Sequence, residues 1–210
     1  MKLLLHVCCA PCSAGSMMRL EQERIHPVLY WNNPNIHPLL EYKSRLDAMQ
    51  EYARREHLPL IVSGEYGLRP FTKAVSKDPD SRCDYCYAVR LRAAAAHARE
   101  HGFDGFSTTL MISPYQDLDQ IVRLAEEAAE ESGVPFVRYD FQPFFRAGQE
   151  KVRGMNLYMQ KYCGCVYSEE ERYERKKSRL PQGFDPNFEV PAKKERARIS
   201  KKLQNPDSAG

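Results

Sequence analysis

Between Met1 and about Asp140 the sequence alternates short runs of β-forming residues with stretches of helical period, and that alternation confines the chain to a small group of folds. The runs are KLLLHV, HPVLYW, LPLIV, GFSTTL and VPFVRYD, each bounded by polar or turn residues. Between the second and third, Leu39, Tyr42, Leu46, Met49 and Ala53 recur at steps of three and four and so share one helical face. Leu118, Ile121, Val122, Ala125 and Ala129 do the same between the fourth and fifth. For that second helix the sequence predicts Ser113 as N-cap, Pro114 in the first helical position, Gln116 closing an S-x-x-Q capping box and Gly133 as the stop. Strand, helix, strand, helix predicts a doubly wound α/β domain with a mostly parallel sheet covered on both faces.

Past Asp140 the chain is expected to be helical, interrupted at Cys-Gly-Cys, and beyond Leu180 it turns Pro-rich and then strongly basic. Its 210 residues divide into one α/β domain over residues 1–178 and a basic, Pro-containing extension over residues 179–210, expected to be partly disordered. No internal repeat is present. The opening MKLLLHVCCAPC carries too short an apolar run to cross a bilayer, and polar residues and Pro11 follow too soon for a secretory signal. With no other long apolar segment, a soluble, cytoplasmic protein without a membrane partner is expected. The net charge of +3 conceals an uneven distribution, because the chain from Arg172 onward reads RYERKKSR and AKKERARISKK against few acids. Such a run is either a solvated face or one that meets phosphates.

Seven cysteines fall in three tight groups: Cys8, Cys9 and Cys12 in HVCCAPC, Cys83 and Cys86 in RCDYCY, Cys163 and Cys165 in KYCGCVYS. Cytosolic thiols are kept reduced, so groups like these hold metal or do redox chemistry more often than they form structural disulfides, and an odd count argues against full pairing. HVCCAPC, NNPN and STTLMISPYQD follow the first, second and fourth strands. Ligands of open parallel sheets bind beyond the carboxyl ends of the strands, where helix N-termini favour anions including thiolates, so these segments are expected to meet at one edge.

Cys83 and Cys86 open a helix as C-x-x-C, a spacing shared by zinc ribbons, thioredoxin-like sites and iron–sulfur proteins. Cys8 and Cys9 would point to opposite faces of a strand, and only a turn such as Pro11 brings lets both reach one ligand set. Two pairs of thiolates satisfy a four-sulfur site for zinc or a cubane cluster, and a cluster fits better at a crevice with a redox dithiol beside it. Cys163 and Cys165, separated by the permissive Gly164, can close only a strained and easily reduced ring, as a working redox pair would. Cys12 stands apart from the pairs and reads as a buried small hydrophobe or a support for them.

Asn32, Asn33, Asn35 and His37 in WNNPNIHP, with Ser113, Tyr115, Gln116 and Asp117 in SPYQD, could bind a polyhydroxylated substrate or place a general acid, although turn and cap chemistry accounts for such residues equally. His6, inside a strand, reads as a satisfied core residue. Neither G-x-G-x-x-G nor G-x-x-x-x-G-K-[ST] occurs, so no nicotinamide, flavin or P-loop function is indicated.

LLLHVCCAPC, YWNNPNIHP, RCDYCYAVRL, STTLMISPYQD and KYCGCVYSE, in that order, resemble the epoxyqueuosine reductases of the QueH type, from about residue 2 to about residue 178. The resemblance implies an adenine-nucleotide-hydrolase-like (HUP-type) α/β fold. It further implies an oxidoreductase that reduces the epoxide of epoxyqueuosine, a modified guanosine at the tRNA wobble position, to the alkene of queuosine. By the same resemblance Cys8, Cys9, Cys83 and Cys86 would hold a [4Fe–4S] cluster, and Cys163 and Cys165 would form a redox-active pair. An additional metal ion, iron or zinc, can accompany the cluster, and Cys12 is not carried over as a ligand. No cobalamin, which a second, unrelated type of the enzyme uses, and no flavin or NAD is expected. The implied partners are tRNA carrying epoxyqueuosine and an electron donor that the sequence does not identify.

In that reading Asn32, Asn33, Asn35, Ser113 and Gln116 are expected to contact substrate, and Tyr115 and Asp117 to help with protons. Arg172, Arg175, Lys176, Lys177, Lys193 and Lys194, with Arg196, Arg198, Lys201 and Lys202, become contacts to tRNA phosphates. Two rivals use the same features. An ATP-dependent tRNA thiolation enzyme would need a glycine phosphate loop where CCAPCSAGS stands, and a zinc-stabilised tRNA-binding module would use the cysteines for shape alone.

Overall fold

The computed structural model describes residues 1–174, and the chain divides into two units, Met1–Arg172 and Tyr173–Gly210, the first of which holds the whole sheet. Four strands, β1 (Leu3–Val7), β2 (Val28–Trp31), β3 (Leu60–Val62) and β4 (Gly105–Thr108), form a parallel sheet in the order β3-β2-β1-β4. Every residue of β1 and β4 is buried, which is why KLLLHV reads as a continuous apolar run instead of an alternating one. The crossovers are α1 (Ala10–Gln22), α2 (Leu39–Arg55), and then α3 (Leu68–Val75) with α4 (Arg82–Glu100). The chain therefore winds outward from β1 to β3 and returns to place β4 on the other side of β1, which sends its right-handed crossovers to opposite faces of the sheet. α5 (Leu118–Ser132) packs on α4 and α6 (Phe145–Gly154) on α1, and α7 (Val166–Glu174) follows the Cys-Gly-Cys segment. This is the expected doubly wound α/β domain with a helical C-terminal region.

Two local expectations are corrected. VPFVRYD is not a fifth strand: Phe106 N donates to Pro135 O at 3.0 Å and Val137 N to Phe106 O at 2.8 Å, and pairing stops at that single bridge. Pro135 has no amide to extend the ladder. The N-cap of α5 is Asp117, whose Oδ1 accepts from Gln120 N at 3.0 Å, while Ser113 closes a 3-10 turn over Thr109–Ile112 and its Oγ accepts from Tyr115 N at 3.3 Å. Both residues are good caps, and the helix takes the one adjoining its first apolar residue, Leu118. Gly133 ends α5 at φ 74°, as the sequence predicts.

α1 is buried from Ala10 through Met17, pressed between the sheet and α6. Two glycines permit that approach. A Cβ on Gly148 of α6 would lie 2.5 Å from Gly15 N and 2.6 Å from Pro11 O, and one on Gly15 would lie 2.6 Å from Phe144 O. The two backbones are in direct contact at the first turns of α1.

Candidate metal and redox site

The strand order reverses between β1 and β4, and it is at such a point that an open α/β sheet leaves a crevice beyond its carboxyl edge. Cys8 follows β1 there. Its N–H donates to Thr109 Oγ1 at 3.3 Å, just past β4, and the same hydroxyl donates to Cys8 Sγ at 3.5 Å. Cys9 is the N-cap of α1 in extended conformation, and Pro11 stands within the first turn, so the chain bends between the adjacent cysteines and Cys12. As a result Cys8, Cys9 and Cys12 bring their sulfurs within 4.8 Å of one another, with 3.8 Å between Cys8 and Cys9.

Three thiols this close share their protons unequally. Hydrogen bonds from Cys12 and then Cys9 hold Cys8 well below the ordinary thiol range, with further help from Thr109 and the Arg90 charge. Cys12 is pushed well up because its hydrogen is committed to Cys8 and Cys9, and burial pushes Cys9 up. Of the three thiols, Cys8 is therefore the most readily ionised. Gln160 Nε2 donates to Cys9 Sγ at 2.9 Å and completes the shell on that side. A donor set made of sulfur alone fits a thiophilic metal, iron or zinc, and is poorly suited to magnesium or calcium.

Cys83 and Cys86 lie at the start of α4, with Arg90 one turn beyond Cys86 on the same helix face. The buried Arg90 guanidinium donates from Nη2 to Cys86 Sγ at 2.9 Å and from Nε to Cys86 O at 2.8 Å. Beyond that contact, its charge also interacts with Cys163 and Cys8. Burial pushes the Cys86 thiol up to about 12, and burial followed by the Cys163 charge raises Cys83. Cys86 and Cys165 are buried in one small apolar cluster with Phe71 and Val75, which places the Cys-Gly-Cys segment against the head of α4.

That segment is held by its backbone. Arg45, buried and paired with Glu41 at 2.7 Å, donates to Cys163 O at 2.8 Å and Tyr162 O at 2.9 Å, and His37 N donates to Gly164 O at 2.7 Å. Gly164 has φ 155°, a region that only glycine enters without strain. Cys163 is exposed and Cys165 buried. Gln116 bridges Tyr87 to the exposed sulfur: the Tyr87 hydroxyl donates to Gln116 Oε1, and Gln116 Nε2 donates to Cys163 Sγ at 3.2 Å.

The family model described as epoxyqueuosine reductase QueH matches residues 3–171. Curated proteins named epoxyqueuosine reductase QueH match as well. The one from Dehalococcoides mccartyi is 41% identical over 84% of this chain and 97% of its own length. The Thermotoga maritima protein is 36% identical over 82% and 93%, and that of Haemophilus influenzae 35% over 80% and 71%. The chain belongs to the QueH family.

Within this QueH domain the remaining residues singled out in the sequence have definite places. Asn33 Nδ2 donates to Val7 O at 2.8 Å, tying the loop after β2 to the end of β1. The Oδ1 atoms of Asn33 and Asn35 are buried and have no hydrogen-bond partner among the described residues, so each can accept a further hydrogen bond, while Asn32 Nδ2 donates to Tyr30 at 3.3 Å. Tyr115 is 86% exposed, and Ser113 and Asp117 serve the turn and cap already described. His6 is buried between Thr108 Oγ1 at 2.9 Å and Asn32 O at 3.2 Å, and burial lowers it to about 4. Arg172 belongs to α7, whereas Arg175, Lys176, Lys177, Lys193, Lys194, Arg196, Arg198, Lys201 and Lys202 lie outside the described residues. No helix among the described residues is long and apolar enough to cross a membrane.

Arg90, Arg45, Gln160 and Thr109 contact the cysteine segments and were not singled out from the sequence. Only Arg90 had a local signal, its i+4 spacing from Cys86 on a helix.

Proposed function

We propose that this QueH-family chain reduces the epoxide of epoxyqueuosine in tRNA to the alkene of queuosine, using a [4Fe–4S] cluster on Cys8, Cys9, Cys83 and Cys86 and a redox-active pair of Cys163 and Cys165. The observation that carries the reading is geometric: at the switch point of the sheet the sulfurs of Cys8, Cys9 and Cys12 lie within 4.8 Å of one another, and the buried Arg90 guanidinium lies 2.9 Å from Cys86 Sγ. Family membership supplies the reaction. When bound, the cluster would pass electrons singly, and an additional metal ion beside it would supply a Lewis acid.

The rest is the work of the chain. Removing the epoxide oxygen as water takes two electrons and two protons. Two thiols closing to a disulfide release that number, so two C–O bonds break, one S–S bond forms and one water leaves. A reductant from outside then reopens the disulfide. Gly164 lets the backbone bring the two sulfurs of a Cys-x-Cys together, and the Tyr87–Gln116 bridge orients Cys163 toward the open side. The orphan oxygens of Asn33 and Asn35 are acceptors for substrate hydroxyls, and Tyr115, next to Gln116, offers a ring and a phenol at the exposed rim. Basic residues from Arg172 onward meet tRNA phosphates in this reading, so binding weakens steeply as salt rises.

The test is anaerobic purification followed by iron, acid-labile sulfide and the visible spectrum, then turnover of epoxyqueuosine-containing tRNA with dithionite as reductant. A brown protein with iron and sulfide in cubane ratio that forms queuosine meets the expectation. A colourless zinc protein that stays colourless after anaerobic reconstitution and turns nothing over overturns it.

A further inference from the structure

Two arginines are buried near the cysteines, and they are neutralised in different ways. Arg45 has Glu41 at 2.7 Å. Arg90 has no carboxylate: among the described residues none of the ion pairs includes it, and its polar contacts are the carbonyl and sulfur of Cys86. A guanidinium does not give up its proton in a protein, and an isolated buried charge is costly, so a neutralising anion must come from another source. The groups its charge reaches first are Cys86, Cys163 and Cys8. Among the described residues, the anion-forming group in direct contact with it is the Cys86 sulfur.

We propose that Arg90 is the counter-ion of the sulfur site and a positioning residue for its electron transfer, holding the site at a higher reduction potential than its thiolates alone would give. This rests on the cluster reading above. Iron held by thiolates becomes more negative when it takes up an electron, and a fixed positive charge beside it stabilises the reduced state over the oxidised one. The fork of the guanidinium fixes where that charge sits, because its Nε–H is anchored on the Cys86 carbonyl while Nη2 faces the Cys86 sulfur. A merely structural arginine would hold the head of α4 in place and leave the potential unmoved.

The experiment is an EPR-monitored redox titration of the reconstituted full chain beside Arg90→Lys and Arg90→Gln, with iron content per chain measured on each. Arg90→Lys is expected to load iron with a midpoint close to that of the native protein. Arg90→Gln is expected to be harder to reduce by at least tenfold in the reduction equilibrium, 59 mV for a one-electron couple. Should Arg90→Gln not fold, Arg90→Met, neutral and without a buried polar head, takes its place. Equal midpoints for the native protein and the neutral variant overturn the role of Arg90 and leave the cluster reading standing. A native protein that takes up no cluster overturns that reading and this inference with it.

Discussion

Gln116 Nε2 lies 3.2 Å from Cys163 Sγ while its Oε1 receives the hydroxyl of Tyr87, so a single amide links the exposed thiol to a phenol buried in α4. The amide cannot rotate without losing both bonds. Gln116→Leu is therefore expected to lower reductase turnover about tenfold, the ~1.4 kcal/mol of one ordinary hydrogen bond lost from a reacting group. Iron content should be unchanged, since Gln116 touches none of the other sulfurs. Steady-state kinetics on epoxyqueuosine-tRNA beside an iron assay measures both, and unchanged kcat would remove Gln116 from the machinery.

Cys12 sits within 4.8 Å of Cys8 and Cys9, yet the proposed cluster uses Cys83 and Cys86 as its other two ligands. The choice is open to a direct comparison. Cys83→Ser is expected to lose most of the iron bound by the native protein, and Cys12→Ser to retain it with a visible spectrum of the same shape. The opposite result would make the ligand set Cys8, Cys9 and Cys12 with one sulfur from α4.

Cys163→Ser and Cys165→Ser should keep the colour of the protein and abolish turnover, because each removes one half of the dithiol and neither is a proposed iron ligand. Bleaching in either variant would move that sulfur onto the metal.

His37 is buried against Tyr66 and Phe71, with Nε2 3.1 Å from Pro34 O and Nδ1 without a hydrogen-bond partner among the described residues. Burial lowers it to about 4 from an ordinary 6.5. Between those values the unfolded chain holds the extra proton and the folded one does not, so stability rises with pH from about 4 to 6.5 and is flat above. The contribution is at most roughly 3 kcal/mol. His37→Phe should flatten that part of the pH profile relative to the native protein in urea denaturation. A profile that keeps its full slope would show that other groups set it.

What could be read from the sequence was whatever local period or adjacency encodes. Tyr42, Met49 and Ala53 on α2, and Ile121 and Ala125 on α5, are buried as their spacing predicts, and the strand runs locate all four strands. VPFVRYD failed because its apolar residues fit a strand equally well whether or not a neighbour is there to pair with, and Pro135 removes the donor that would extend the pairing. The cysteine groups were visible as groups. That Cys12 turns back toward Cys8 was not, since it depends on where α1 starts. Gln160 meeting Cys9, and Arg45 meeting the Cys163 carbonyl, are contacts across more than a hundred residues, and nothing in the spacing of the chain marks them.

The contact of Gly15 with Gly148 has a consequence for genetics. Any side chain at position 148 must push α6 off the carbonyl of Pro11, the residue just before Cys12, because the new carbon would arrive 2.6 Å from that oxygen. A screen for lost queuosine would then return alleles at a glycine that bears no thiol and touches no metal. Their phenotype would copy that of a cysteine mutant, with the lesion lying on a helix well over a hundred residues along the chain from the sulfurs it disorders.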